Sequence, residues 1–404
     1  MLKIISCAGF GNTGSSVVTD FFSEFSAIKV VGGSSFEFSL LHENDGIRDL
    51  EYAIVEGNRL KIDLAIKRFK KLINVLNYHN PSGPNYKDYF NGHFIEYTED
   101  YLKSLGVISW KNGWWHRIFE VFPEDRIQNL VKARKFNNIL KKSNYGLYET
   151  NSWRPSYSGF STQYYACLSK DEFKNKTRIY LKRLFLELAN DDEFLLFDQL
   201  FPVNVDTEYL EYFDFAKVIL VDRDPRDLYF MNKVFWGSGY IPTENVEIFI
   251  DWFKLTRTNV NFHDNILKIC FEDMIFDTEK TQKRLCDFVG IDINNHDNPN
   301  TYLFVEKSIT NTQVYEKVEL LDEEYSVILQ HDLEKIANEL IDYLYSFPIL
   351  DNSQKNTKKQ KLIIEKVYNE VRNRTSFEFL IRIQVVCKCC ISKIVRRIKR
   401  VYDR

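Results

Sequence analysis

The chain lacks any run of about 18 consecutive apolar residues, the length that a membrane-spanning helix needs. It also lacks an apolar leader, because the first predicted strand begins directly after Met1. We therefore expect no signal peptide, no N-terminal anchor and no membrane span, and we predict a cytoplasmic location. Hydrophobic residues still make up 44% of the 404 residues, which indicates a globular protein with a large core.

Cysteines are few, and they form neither a ligand set nor a disulfide framework. The chain has seven, and their spacing matches no metal-binding pattern. The sequence therefore predicts a reduced, cytosolic compartment and no metal site. Three cysteines cluster near the C-terminus and four are scattered in apolar surroundings: Cys387, Cys389 and Cys390, and Cys7, Cys167, Cys270 and Cys286.

Charge is divided unevenly along the chain. The net charge is −3, yet residues 355–404 contain 15 Lys and Arg against 4 Asp and Glu, a net charge of +11. The acidic remainder argues against binding to nucleic acid. We interpret residues 352–404 as a polar linker followed, over 362–404, by a basic amphipathic helical tail. Such a tail either lies on an anionic membrane surface, as in a protein peripheral to the inner face of the membrane, or packs on the body.

A glycine-rich turn, here called the anion loop (residues 9–16), follows the first predicted strand and precedes a helix predicted over 14–25. The spacing Gly-x4-Gly-Ser-Ser matches a Walker A frame in which Ser15 replaces the lysine that reaches the phosphates of a nucleoside triphosphate. Backbone N–H groups and the helix dipole still favour an anion there. The loop is predicted to hold a phosphate or sulfate without hydrolysing ATP or GTP. A tight strand-to-helix connection is the alternative.

Short apolar runs alternate with helical segments. This alternation predicts an α/β fold with a central parallel sheet, helices on both faces and ligands at the carboxyl ends of the strands. Residues 50–190 have mostly helical periodicity, and we interpret them as a large helical insertion in a domain spanning 1–351. Strands are predicted over 2–6, 27–31, 194–197, 217–221 and 266–271, and an amphipathic helix over 170–188.

A second charged motif follows the strand predicted over 217–221. It reads Asp-Arg-Asp-Pro-Arg-Asp over 222–227, and Pro225 suits the first turn of a helix. Arg223 stands at the strand end, where a guanidinium can bind a second phosphate. The alternative is a surface cluster of salt bridges.

These features resemble the sulfotransferase superfamily that uses 3′-phosphoadenosine 5′-phosphosulfate (PAPS). The anion loop looks like its 5′-phosphosulfate loop, residues 223–227 look like its 3′-phosphate motif, and residues 271–290 resemble the unit that follows. The resemblance implies a P-loop-like three-layer fold, PAPS as co-substrate and no metal. It implies a nucleotide site made by Gly11, Asn12, Thr13, Gly14, Ser15, Ser16, Arg223 and Asn232, closed by Lys317 from a late loop.

Several positions depart from that family. Asn12 stands where it usually has a lysine or arginine, and Met231, followed by Asn232, stands where it has a serine. At the strand predicted over 194–197, Asp198 falls at the place of a family lysine and Leu200 at that of a catalytic histidine. The histidine-based mechanism therefore does not carry over.

The acceptor hydroxyl must lose its proton to a carboxylate or an imidazole. Glu37 is the first candidate, because the turn after the second strand opens beside the anion loop, and some members of the resembled family have a glutamate in a comparable position. His42 and Glu43, predicted on the following helix, are the reserves. Asp198, with Gln199, could orient the acceptor. A solvated loop carboxylate is the alternative for Glu37.

Aromatic residues are dense between residues 100 and 165, which is typical of a sugar-binding surface and equally of a helical core. We predict a sulfotransferase that moves a sulfuryl group from PAPS to a hydroxyl of a carbohydrate or glycan, similar to bacterial-type carbohydrate sulfotransferases. The alternatives are a P-loop kinase, which Ser15 disfavours, and a catalytically inactive nucleotide-binding protein, which Asn12 and Met231 favour. The aromatic residues are Trp110, Trp114, Trp115, Tyr145, Tyr148, Trp153, Tyr157, Tyr164 and Tyr165.

Overall fold

The computed structural model describes residues 2–348 except 33–36, 79–84, 112–161, 189–193, 205–206, 238, 259–262 and 322. Its strands are β1 (Lys3–Gly9), β2 (Ile28–Val31), β3 (Ile108–Lys111), β4 (Thr162–Tyr165), β5 (Phe194–Asp198), β6 (Ala216–Asp222) and β7 (Ile266–Cys270). Five of them form a parallel sheet in the order β2-β5-β1-β6-β7, and β3 pairs with β4 in a separate antiparallel ribbon. The predicted α/β class with a central parallel sheet is confirmed.

Helices surround this sheet. They are α1 (Ser16–Phe22), α2 (Ile47–Val55), α3 (Arg59–Tyr78), α4 (Tyr86–Tyr89), α5 (Phe94–Ser104), α6 (Lys170–Leu186), α7 (Thr207–Leu210), α8 (Pro225–Met231), α9 (Val246–Thr258), α10 (Phe271–Phe276), α11 (Thr278–Val289), α12 (Val305–Ser308) and α13 (Glu323–Glu339). A π-helical turn, Asn232–Trp236, continues α8. Short 3₁₀ turns cover Ile293–Asn295, Ile309–Asn311, Val314–Leu320 and Ile341–Tyr343.

The sheet is buried on both faces because alternate strand residues enter two different cores. In β5, Leu195 and Phe197 pack with helices α2 to α6, whereas Leu196 packs with α1, α10 and α11. In β6, Val218 and Leu220 belong to the first core and Ile219 to the second. Helix, sheet and helix therefore form three layers, with every strand pointing its carboxyl end to one edge.

Two sequence expectations need correction. The helix predicted over 14–25 is shorter, because α1 begins at Ser16 and ends at Phe22. His42 and Glu43 do not lie on a helix: they occupy turns before α2, which begins at Ile47. The buried Leu40 and Leu41 give that stretch its apolar pattern without helical backbone.

Other expectations remain predictions. The boundary between 1–351 and 352–404, and the tail itself, lie outside the described residues, as does much of the aromatic segment, residues 112–161. The described part of the 50–190 insertion consists of α2 to α6 and the β3–β4 ribbon. Within the described ranges, no helix is long and apolar enough to cross a membrane.

Candidate active site

The anion loop joins β1 to α1 and reverses direction at three positions. Gly11, Asn12 and Gly14 have φ angles of 93°, 51° and 85°, in the region that glycine adopts without strain. The buried Thr13 hydroxyl donates a 2.7 Å hydrogen bond to the carbonyl of Val221 in β6. The loop is therefore tied to the neighbouring strand, at the carboxyl end of β1.

Two aromatic rings approach the loop where it has no side chain. A Cβ placed on Gly14 would lie 2.5 Å from Cδ2 of Phe271, and one on Gly11 would lie 2.6 Å from Cε2 of Tyr240. Phe271 is buried, whereas Tyr240 is 62% exposed. A side chain at either glycine would clash with a ring. The exposed Tyr240 ring near Gly11 could move aside, whereas the buried Phe271 ring near Gly14 could not.

Asn12, which stands where the resembled family usually has a lysine or arginine, contacts Asn232, the residue after Met231. Asn12 Nδ2 donates a 2.6 Å hydrogen bond to Asn232 Oδ1, and the Tyr240 hydroxyl donates one of 2.8 Å to Asn12 Oδ1. Asn232 Nδ2 in turn donates to the Leu228 carbonyl at 2.7 Å. The two asparagines thus fix the loop against the end of α8.

Arg223 lies directly behind the anion loop and is almost fully buried. Its Nη1 donates to the Asn12 carbonyl at 3.4 Å, and its Nη2 donates to the Asn311 carbonyl. The guanidinium carbon is 5.0 Å from the ring centre of Phe271 and 5.8 Å from that of Trp236. Its Nε has no hydrogen-bond partner among the residues that the structure describes. A buried cation with an open donor therefore stands next to the loop.

The end of β6 that carries Arg223 is held by a buried ion cluster. Arg257 Nη2 contacts Asp222 Oδ1 at 2.7 Å, and Lys268 Nζ contacts Asp222 Oδ2 at 2.9 Å. Asp222 Oδ1 also accepts the Arg223 backbone N–H at 2.9 Å. Burial raises the pKa of Asp222, but the two cations outweigh burial and hold that pKa below its ordinary value. The cluster fixes the backbone at which the Arg223 side chain begins.

A second carboxylate supports the start of α8. Asp224 accepts the Arg226 backbone N–H at 2.9 Å and pairs with the Arg226 side chain at 2.6 Å, as an N-cap residue does. The Asp224 backbone N–H donates to Glu272 Oε1 at 3.0 Å. Burial raises the pKa of Glu272 to about 8 even though the nearby Arg223 lowers it. Burial therefore favours the neutral form of Glu272 beside Arg223.

Asp227 anchors the late loop that was predicted to close over the nucleotide. Its carboxylate accepts the backbone N–H groups of Gln313, Val314 and Tyr315 at 2.7, 2.6 and 3.2 Å. These residues begin the 3₁₀ turn that carries Lys317, whose side chain is buried. The loop containing Lys317 is thus attached to the same helix, α8, that follows Arg223.

On the other side of the anion loop, Asp198 ends β5. The Ser15 hydroxyl and Gln199 donate hydrogen bonds to the Asp198 carboxylate, and Glu37 lies close enough to repel it. Burial, reinforced by Glu37, raises the pKa of Asp198 to about 6. A serine of the loop and two carboxylates therefore meet at this point.

The His42 side chain contacts the backbone at the same strand end. The His42 Nε2 is 2.9 Å from the Gln199 carbonyl, and the Gln199 N–H donates to the Cys7 carbonyl at 2.7 Å. Gln199 has a φ angle of 55°, so β5 ends in a sharp turn here. The structure places two predicted base candidates, Glu37 and His42, and the predicted acceptor-orienting Asp198 around one strand end, with Glu37 exposed.

Sequence reasoning missed some residues that build the site. Tyr240 and Glu272 carried no signal, because their partners lie more than 40 positions away in the chain. Asp227 was part of the predicted motif, but its role in anchoring the late loop was not foreseen. Among the described residues no group of His, Cys, Asp or Glu could hold a metal ion.

No family model matches the chain. Curated relatives match part of it: Sulfotransferase 2A1 of Rattus norvegicus is 34% identical over 90 residues, and Sulfotransferase 2A2 of Mus musculus is 33% identical over 90 residues. Each match covers 19% of this chain and 32% of the relative, so the chain spans about a third of the length of the curated relatives it matches. The resemblance to the PAPS-dependent sulfotransferases is confirmed.

Two solved structures show weak similarity to this chain. A sulfotransferase domain from the Synechococcus PCC 7002 olefin synthase is 14% identical, covers 86% of this chain and 96% of its own, and has a TM-score of 0.33. Retinol dehydratase in complex with androsterone and the inactive cofactor PAP is 12% identical, covers 85% and 82%, and has a TM-score of 0.27. These weak similarities add nothing to the sulfotransferase match found in the sequence.

Proposed function

We propose that this protein is a sulfotransferase that moves a sulfuryl group from PAPS to an acceptor hydroxyl. One observation carries the proposal: the buried Arg223 guanidinium directly contacts the Asn12 carbonyl of the anion loop. Arg223 follows β6 and the anion loop follows β1, so the two sites lie side by side but are separate. This arrangement fits a ligand with two separate anionic groups. A 3′-phosphorylated nucleotide has that arrangement.

The charges along the sheet edge suggest which group binds where. Arg223 would take the 3′-phosphate, because its Nε is open and burial favours the neutral form of Glu272 beside it. The backbone of the anion loop would take the 5′-phosphosulfate. Lys317 follows the segment that Asp227 anchors and would close over the nucleotide from that side.

Glu37 would accept the proton of the acceptor hydroxyl. It is exposed, so an acceptor can reach it, and it lies near the Asp198 end of the anion loop, opposite Arg223. Sulfuryl transfer passes through a loose, in-line transition state, in the manner of phosphoryl transfer, so positioning and charge stabilisation contribute most of the catalysis. His42 is the reserve base from the same strand end.

We propose a carbohydrate or glycan as the acceptor. The support is the aromatic segment between 100 and 165, of which the structure describes only the ends. There, Arg59 lies over the Trp110 ring at 5.4 Å and Lys70 lies near the Tyr164 ring at 5.8 Å. Aromatic faces next to cations fit the rings and acidic groups of glycans, and a panel of saccharides against steroid alcohols, assayed for sulfate transfer, tests this choice.

The nucleotide is tested first, by thermal unfolding with adenosine 3′,5′-bisphosphate (PAP), AMP and ATP. PAP should raise the melting temperature well beyond AMP, since a ligand at 100 times its Kd stabilises by about 2.7 kcal/mol. Equal shifts with PAP and AMP would refute the two-anion site. A larger shift with ATP than with PAP would instead favour a P-loop kinase.

Two variants then separate binding from catalysis. Arg223→Met should weaken PAP binding by about 1.5–3 kcal/mol, the scale of a charged hydrogen bond, with a smaller effect on AMP. Arg284→Met, which alters an exposed arginine on α11, is the matched control. Glu37→Gln should lower turnover by about 10²–10⁴ while PAP affinity stays nearly unchanged. PAP binding without transfer to any acceptor would identify an inactive nucleotide-binding protein.

A further inference from the structure

The Asp198 carboxyl occupies an unusual position for an anion. It ends β5 in register with Cys7 of β1, and the Ser15 hydroxyl of the anion loop donates to it. Its Oδ1 is buried and has no hydrogen-bond partner among the described residues. The Asp198 carboxyl therefore accepts a hydrogen bond from the anion loop, the same loop that is proposed to hold the anionic group of PAPS.

The groups that face Asp198 from the surrounding elements do not neutralise it. Glu37, from the segment after β2, raises the pKa of Asp198 by repulsion. Cys7, from β1, is a buried thiol whose own pKa is raised well above its ordinary value by burial and by Asp198. His42 is bonded to the adjacent Gln199 carbonyl. Burial, reinforced by repulsion from Glu37 and partly offset by hydrogen bonds from Ser15 and Gln199, raises the pKa of Asp198 to about 6.

An anion in the loop and an ionised Asp198 are incompatible neighbours. The Ser15 hydroxyl that donates to Asp198 also belongs to the anion loop, and two negative charges in a partly buried site repel each other strongly. A neutral Asp198 removes the conflict, because its O–H can donate to the anion while Ser15 turns its own hydroxyl to the same ligand. Binding is then coupled to the uptake of one proton from solvent.

We propose that Asp198 takes up a proton when the donor's 5′ anionic group enters the anion loop, and that the neutral carboxyl then donates a hydrogen bond to that anion. This inference rests on the proposed function, since the anion is the 5′ end of PAPS. Glu37, which is exposed, keeps the role of base. Two neighbouring carboxyls would thus have opposite roles because their surroundings differ in burial. Asp198 would thus contact the sulfuryl donor directly.

The proposal predicts a specific pH dependence. If only the protonated form binds well, affinity falls by about tenfold for each pH unit above the pKa of free Asp198, because the binding-competent fraction falls by that factor. The ligand's own phosphate also titrates near pH 6. A variant without the Asp198 carboxyl binds the same ligand, so the ratio of the two affinities cancels the effect of the phosphate titration.

The test is isothermal titration calorimetry of the full-length protein with PAP between pH 5.5 and 8.5, comparing wild type with Asp198→Asn. The amide keeps size and a donor but does not titrate. The ratio of wild-type to variant affinity should fall about tenfold per pH unit above 6.5. Glu37→Gln should move the wild-type fall to lower pH, because it removes the repulsion that raises the Asp198 pKa. Asp20→Asn, which removes a carboxyl on α1 whose pKa burial also raises, is the matched control and should change nothing.

A ratio that stays constant with pH, while both proteins bind PAP, would overturn the proton uptake and leave the proposed function intact. Failure of wild type to bind PAP at any pH would overturn both. If Asp198→Asn does not fold, the wild-type protein alone gives the test. Calorimetric titrations with PAP at pH 7.5, in buffers of different ionisation enthalpy, should show the uptake of nearly one proton more than the protonation of PAP itself accounts for. Absence of such uptake would equally overturn the proposal.

Discussion

The two loop glycines that touch aromatic rings allow a sharp test of the site's geometry. Gly11→Ala and Gly14→Ala are chemically the same change, at positions three residues apart. Both glycines have positive φ, so an alanine is strained at either position. The new methyl group would meet Tyr240 in Gly11→Ala and Phe271 in Gly14→Ala. The two rings differ in exposure, since Tyr240 is 62% exposed and Phe271 is 3% exposed.

The expected magnitudes follow from this difference. A side chain in the left-handed region costs roughly 1–2 kcal/mol, which applies to both variants. At Gly11 the Tyr240 ring can swing into solvent, so little is added. At Gly14 the methyl group would lie 2.5 Å from a buried Phe271 ring, and such overpacking costs about 1–3 kcal/mol more. We therefore expect losses of about 1–2 kcal/mol for Gly11→Ala and about 2–5 kcal/mol for Gly14→Ala.

Urea unfolding, followed by tryptophan fluorescence without ligand, measures these free energies. The double variant with Phe271→Leu should recover part of the additional loss at Gly14, since contacting residues are energetically coupled. Displacement of Phe271 should also weaken PAP binding in Gly14→Ala, because that ring lies beside Arg223. Equal stability losses for the two single variants would refute the packing of Phe271 on Gly14.

Two further predictions concern pH and the tail. Glu272, whose pKa burial raises from 4.5 to about 8, loses its stabilising effect as pH rises through that interval, because the unfolded chain ionises first. The free energy of unfolding of wild type should therefore fall between pH 5 and 8 relative to Glu272→Gln, and parallel curves would contradict this. Removal of residues after 352 should leave a folded body that still binds PAP but should abolish binding to anionic vesicles. In the full chain, vesicle binding should weaken as salt rises; unfolding of the shortened body would argue that the tail belongs to the core.

The sequence predicted the sheet well because its strands are buried on both faces. The run that became β5 is entirely apolar and the run that became β6 is apolar after Lys217, and their observed ends differ from the predicted ones by at most one residue. The order of the strands was not predictable in the same way. Nothing local shows that β1 lies between β5 and β6, since the pairing joins segments about 190 residues or more apart.

The site could be predicted as a list of positions but not as an arrangement. The charges of residues 222–227 had a surface cluster as their alternative, yet five of the six residues are buried, with partners from distant segments. Asp222 meets Arg257, and Arg223 meets Asn12. The error at His42 has a local cause, because buried leucines in a series of turns gave the same pattern as a helix.

The strand order gives the site a length scale. Neighbouring strands lie about 4.8 Å apart, so the ends of β6 and β5, on either side of β1, are separated by about 10 Å. Arg223 follows one of these strands and Asp198 ends the other. Under the proposed function, the two anionic groups of the ligand would have to span the distance between the positive charge of Arg223 and the Asp198 carboxyl. A molecule with only one anionic group could contact only one of these two ends. Selectivity would then depend on the distance between the ligand's anionic groups as much as on their charge.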